Sequence, residues 1–356
     1  MDNEAENKLE KTEEAKADSL DENKEAKPKK LKAKPPIVIL SIAGAILLVV
    51  GLVFLLLKLW EGSGEFHIDT SIDTETETDD RVTLLPTEVK RTNDDGVSTV
   101  VIFGNDTFGD TTQGPSVVKL LQENTTATIY DITLPGSTMT AKKKQAPSVS
   151  GYQKDYYCLY WIWESFMNGD LSPQIEAIDN TDGIDKAMYK EKLETLKDLD
   201  FNTVDYIIVA YDGHDYLNGH KAIIEGDEYS TTCMNGVIYG MYEKAFARYP
   251  EMQMAFVAPC FCYARDINGE RVNGDLHQID GETLTDGIQL IKNATQVYGI
   301  SYVDDYFGVD INAETAEKYL TKDDVVPNQE GKKLIAAHML NKVFKRIEAQ
   351  DKDKNE

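Results

Sequence analysis

Hydrophobic and polar positions divide the chain into four regions. Residues 1–35 hold nine Lys and ten Asp/Glu with no aromatic residue. Such a segment buries too little surface to offset its chain entropy and reads as a disordered tail. Ile37 to Leu57 then carries no charge, and Ser41 is its sole hydroxyl. At about 1.5 Å per residue this run spans about 30 Å, a bilayer core, so residues 36–58 are predicted to be one transmembrane helix. A cleavable signal peptide would be shorter and end in small residues, whereas Lys58-Leu59-Trp60-Glu61 follows here. Lys27, Lys29, Lys30, Lys32 and Lys34 precede the run and only Lys58 closely follows it. That asymmetry predicts a single-pass cell-membrane protein with a cytoplasmic N-terminus and an extracytoplasmic main domain.

Residues 59–96 are rich in Thr, Asp and Glu and read as an extended, self-repelling stalk; a calcium site at Asp69, Asp73, Glu75, Glu77, Asp79 and Asp80 is the alternative. Beyond it, short apolar runs alternate with amphipathic stretches. Thr99–Phe103, Ala127–Ile132, Val204–Ala210, Met252–Ala258 and Ile300–Val303 are predicted strands. Ile184, Met188, Leu193, Leu196 and Leu199 repeat every three to five residues, as do Leu284, Ile288 and Ile291, and Ile335, Met339, Val343 and Ile347. These are the spacings of helices with one buried face. Val/Ile-rich strands alternating with helices predict an α/β domain over 97–350: a three-layer α/β/α sandwich on a mainly parallel five-stranded sheet, with the first strand central and a polar tail at 351–356. Parallel sheets of this kind carry their sites at the C-terminal strand ends.

Charge narrows the partners. Lys+Arg 37 against Asp+Glu 62 leaves −25, a surface that repels phosphate backbones, so nucleic acid is not an expected partner. Four cysteines do not make a disulfide scaffold; Cys233, Cys260 and Cys262 could supply one bridge, and the Cys260-x-Cys262 spacing is not a zinc motif. Cys158 lies among Tyr156, Tyr157, Tyr160, Trp161 and Trp163, either a buried helix face or a ligand-facing wall. No cofactor is called for.

The predicted strand ends carry the candidate chemistry. The first ends in Gly104-Asn105-Asp106-Thr107-Phe108-Gly109-Asp110, the second in Leu134-Pro135-Gly136-Ser137-Thr138-Met139, and the third in Tyr211-Asp212-Gly213-His214-Asp215-Tyr216. Asp323-Asp324-Val325-Val326-Pro327-Asn328-Gln329-Glu330-Gly331 precedes the last helix. In order and spacing these blocks resemble the SGNH/GDSL hydrolases over roughly residues 97–345, with degenerate catalytic blocks. The resemblance implies a flavodoxin-like sheet. It also implies a nucleophilic Ser in the first block, oxyanion donors in the second and third, and an Asp-x-x-His in the last.

Set on that pattern, Asn105 takes the place of the family Asp and Asp106 that of the Ser, while a one-residue bulge brings Asp106-Thr107 onto Asp-Ser instead. Thr107 would then be the nucleophile, a stiff β-branched one. Gly136 and His214 fall on the oxyanion positions, and a neutral imidazole can donate one N–H there or serve as the missing base. Asp323 falls on the family Asp, but Val326 stands where the His belongs and cannot accept a proton. The candidate catalytic residues are therefore Asp106, Thr107, His214 and Asp323, with Gly136 and His214 for the oxyanion. His338 lies 12 steps beyond Val326, about 18 Å along a regular helix, and reads as a packing or surface residue; His67 in the stalk, His220 in a loop and His277 in a polar insertion have no spacing partner and read as structural rather than catalytic.

The edge that collects Asp106, Asp110, Asp212, His214, Asp215 and Asp323 has the donor types of a divalent-cation site, although no metal is assigned. Three functions stay open: a membrane-anchored esterase of the SGNH type acting on small esters or acyl groups of envelope glycans, an inactive module binding a glycan or partner protein in the same cleft, and a metal-dependent hydrolase. Oligomeric state is not legible.

Overall fold

In the computed structural model, residues 68, 78–83, 96–145 and 153–355 are described. The predicted anchor at 36–58, His67 and most of the stalk lie outside them. No helix among the described residues is long and apolar enough to cross a membrane.

The five predicted strands form, each within two residues of its expected bounds. They are β1 (Thr99–Gly104), β2 (Thr128–Thr133), β3 (Tyr206–Ala210), β4 (Gln253–Val257) and β7 (Ser301–Val303), paired in parallel in the order β2-β1-β3-β4-β7. β3 is therefore the middle strand, and β1 is interior but off centre, which corrects the expectation of a central first strand. The helices are α1 (Asp106–Gly109), α2 (Val117–Asn124), α3 (Leu159–Met167), α4 (Ser172–Asp179), α5 (Lys186–Asp198), α6 (His214–Leu217), α7 (Met234–Arg248), α8 (Leu284–Tyr298), α9 (Ala316–Tyr319), α10 (Gln329–Met339) and α11 (Lys345–Asn355). A short hairpin, β5 (Tyr263–Arg265) and β6 (Arg271–Asn273), interrupts the segment after β4, which the sequence shows only as a polar insertion.

Alternation along buried strands makes the three layers. Val101, Phe103, Ile207 and Val209 point to one face, where Trp163, Leu193, Met241 and Ile288 of α3, α5, α7 and α8 cover them. Val100, Ile102 and Ile208 point to the other, against Val117, Leu120 and Leu121 of α2 and Ile335, Met339 and Val343 of the C-terminal helices. The aromatic run around Cys158 belongs to the first core: Tyr157, Ile162 and Trp163 are buried there. All four cysteines are buried free thiols, so the optional disulfide does not form.

Because β2 and β3 flank β1 on opposite sides, the chain reverses direction at the C-terminal end of β1, the position where such sheets open a crevice. β1 approaches β3 so closely there that a Cβ on Gly104 would collide with the carbonyl oxygen of Ala210. Gly104→Ala is accordingly expected to cost about 1–3 kcal/mol by overpacking, each kcal/mol lowering the melting temperature by about 2–4 °C. Gly240→Ala in α7, where a Cβ meets nothing within 4 Å, is the control that should leave it level or raised. Equal melting temperatures for the two variants would contradict this account of the β1–β3 contact.

Candidate functional site

The crevice at the end of β1 is organised by one buried carboxylate. Asp212, two residues beyond β3, is 4% exposed. It accepts from Asn105 Nδ2 at 2.8 Å, the Thr107 amide at 3.3 Å and the Thr107 hydroxyl at 3.1 Å. It also accepts from the His214 amide at 3.1 Å and His214 Nδ1 at 2.7 Å. Asn105 returns the contact by accepting from the Asp212 amide at 3.1 Å. Burial alone would push the Asp212 carboxyl up, but the His214 cation and these donors outweigh it and hold the group below the usual carboxylate range. The charge of Asp212 in turn raises the His214 imidazole to about 9 against the opposing effect of its burial, so the ring is a cation at neutral pH.

Asp106 opens α1 and turns the other way. Its Oδ2 accepts from the Gly136 amide at 2.6 Å and lies 4.0 Å from His214 Nδ1. The turn that aims this amide needs a left-handed residue, and Gly136 has φ +81°. Burial, then repulsion from Asp212, push the Asp106 carboxyl above its ordinary value.

The remaining acids of the predicted cluster divide by partner. Asp215 accepts from the Met139 and Thr140 amides and the Thr140 hydroxyl at 2.8–3.0 Å, and contacts His220 Nδ1 at 3.1 Å, so it shapes the loop carrying Gly136. His220, without a partner by sequence spacing, thus has one in space. Asp110 pairs with Lys332 of α10 at 3.1 Å. Asp323 is exposed and caps its own turn, accepting from the Val325 and Val326 amides at 3.1 Å each. Among the described residues, Asp106, Asp212 and His214 are the group of three whose possible metal-ligand atoms lie within 4.8 Å of one another.

Gly136, Asp106 and His214 thus converge, and Thr107 and His214 meet through Asp212. Asp323 lies in the neighbouring closing turn, and Val326 is buried. Four contributing residues were missed. Asn105 was noted only as a mismatch, although an amide next to a buried Asp is the group that can both donate and accept. Lys332 is 0% exposed and donates to the Asp110 carbonyl at 2.7 Å, tying the last block to the first. Arg265 and Arg271 of the hairpin both grip Asp324, which has φ +68°, and so fix the closing turn. Nothing in the residue pattern marks these two long-range ties.

The fold order and the meeting of the strand-end blocks at one edge are those the SGNH/GDSL resemblance implies. No family model and no curated protein matches the chain. Solved structures similar to it include a Lactobacillus plantarum protein at 14% identity, covering 70% of this chain and 98% of that one with a TM-score of 0.47. A lipase/acylhydrolase from Enterococcus faecalis is similar at 11% identity, 70% and 97% coverage and a TM-score of 0.37. A member of the lipolytic G-D-S-L family from Veillonella parvula follows at 13% identity, 70% and 100% coverage and a TM-score of 0.40. The chemistry of the cleft rests on its own residues.

The His214–Asp212 pair makes a pH prediction. The folded imidazole titrates near 9 against an ordinary 6.5, so its contribution to stability is complete below about 6.5 and is lost as pH rises through about 9. Asp212→Asn should bring the His214 midpoint, read from the ring proton and carbon shifts in NMR, down by about two units. An unshifted midpoint in that variant would show that Asp212 is not what holds the proton.

Proposed function

We propose that this domain is an SGNH-hydrolase-like module, carried outside a cell membrane by the expected 36–58 anchor, that binds a neutral hydroxyl-rich ligand such as an acylated envelope glycan and does not cleave it with a hydroxyl nucleophile. The carrying observation is the Asp106 carboxylate on the Gly136 amide at 2.6 Å. Acyl transfer needs that N–H for an oxyanion forming in the transition state. Here the Asp106 side chain already accepts it, so the N–H is not free for an oxyanion.

The other groups agree. Thr107 is 2% exposed and gives its proton to Asp212, whose lowered pKa makes it a weak base. His214 is protonated at neutral pH and so is a donor, and Val326 supplies no base. Binding suits the same groups. Asp106 offers a partly exposed acceptor beside a cationic His214 whose Nε2 has no partner among the described residues. Sugar hydroxyls both donate and accept, and the acidic chain disfavours anionic ligands.

A metal-dependent hydrolase is the second reading, favoured by the 4.8 Å grouping of Asp106, Asp212 and His214. It ranks lower because Asp212 already accepts five hydrogen bonds and has little lone-pair capacity left.

The purified chain should turn over a small activated ester at least about 10³-fold more slowly than an intact Ser-His-Asp site, with Thr107→Ala no slower. A neutral O-acetylated oligosaccharide should raise the melting temperature by mass action, and Asp106→Ala or His214→Ala should remove that shift. Fast turnover abolished by Thr107→Ala would overturn the proposal, and fast turnover abolished by a chelator would replace it with the metal reading.

A further inference from the structure

Residues 78–83 belong to the stretch read as a solvated stalk, yet they lie against the open side of β7, the sheet's edge strand. Arg81 and Tyr302 exchange both backbone hydrogen bonds at 2.8 Å in an isolated antiparallel bridge. The Thr83 amide donates to Ser301 Oγ at 2.9 Å, and the Asp79 amide to Asp304 Oδ2 at 3.0 Å. An uncovered edge would present these strand groups to any other chain.

Two side chains give this contact specificity. Asp80 enters a polar site where Oδ2 meets His338 Nε2 at 3.1 Å and Oδ1 accepts the Asp304 amide at 2.8 Å; Lys342 Nζ stands 3.9 Å away. The other ring nitrogen of His338 holds Asp305 at 2.7 Å. Burial opposes charge on His338, but its hydrogen bonds to Asp305 and Asp80 raise it to about 9, so a cation faces the incoming carboxylate. Arg81 Nη2 reaches Thr295 Oγ1 and the Ile300 carbonyl at 3.1 Å each. Asp305 Oδ2 is buried without a partner, and an ionic site left short of partners is better suited to fixing register than to adding stability.

We propose that the β7 edge is a peptide-docking site that reads an Asp-Arg pair in an extended chain, and that residues 78–83 occupy it in cis as a detachable strap. The same segment of a second copy is the partner that fits when the strap is displaced. Residues 84–95 join the strap to the chain that leads into β1; at most about 3.6 Å each, these 12 residues bound the reach of such an exchange at about 43 Å.

The test uses the full chain carrying Asp80→Ala and Arg81→Ala, and a fluorescent synthetic peptide of residues 76–86. The peptide should bind this variant and bind wild type at least about tenfold more weakly, because the tethered strap competes at millimolar effective concentration. Adding His338→Gln to the variant should abolish binding. A folded variant that ignores the peptide, or wild type that binds it equally well, overturns the proposal. Should the variant not fold, hydrogen exchange on wild type decides. The Arg81 and Tyr302 amides should exchange through openings at least about tenfold more frequent than those exposing Val101 and Ile208, and equal protection overturns the strap.

Discussion

Everything at the candidate site follows from burying one negative charge. Asp212 lies at the reversal point of the sheet, and an uncompensated carboxylate there would cost several kcal/mol. The chain compensates it with five donors and one neighbouring cation. Those donors come from the residues that resemble catalytic groups. The Thr107 hydroxyl and His214 Nδ1 are committed to Asp212, and Asn105 is locked to it in both directions. What could have been a nucleophile and a base becomes the solvation shell of a carboxylate.

Asp106 completes the inversion. The left-handed turn at Gly136 still aims an amide into the crevice, as the fold resemblance implies, but its acceptor is a side chain of the protein itself. A carboxyl group of the protein itself stands where charge would otherwise appear only during reaction. On the proposed reading, fold and chemistry separate here, as they do across superfolds generally. The hairpin arginines on Asp324 and the buried Lys332 on Asp110 hold the closing block close to the first block without supplying a histidine.

The architecture was legible because both faces of the sheet are buried: β1, β3 and β4 read as continuous apolar runs, and α5 and α8 show three-to-four-residue spacing. Strand order was not, since all-parallel pairing leaves no turn signal to say which strand is central. The meeting of Asp106, Gly136 and His214 was legible from the strand-end rule, whereas the destination of each proton was not. Thr107 as nucleophile and Thr107 as donor to Asp212 are one residue at one place, separated by a side-chain rotation that no spacing encodes. His338 reads from sequence as a packing or surface residue because its partners, Asp80 and Asp305, come from remote parts of the chain; of these, Asp80 lies in a segment whose acidity suggests solvent.

The central claim is that the cleft holds no activated hydroxyl. It is tested most directly by treating the folded chain with a fluorophosphonate, which phosphonylates only a hydroxyl made nucleophilic by its site, and measuring intact mass followed by peptide mapping. The account predicts an unchanged mass at reagent levels that fully label an intact serine esterase. One phosphonyl group on Thr107, lost on denaturation before treatment, would contradict it.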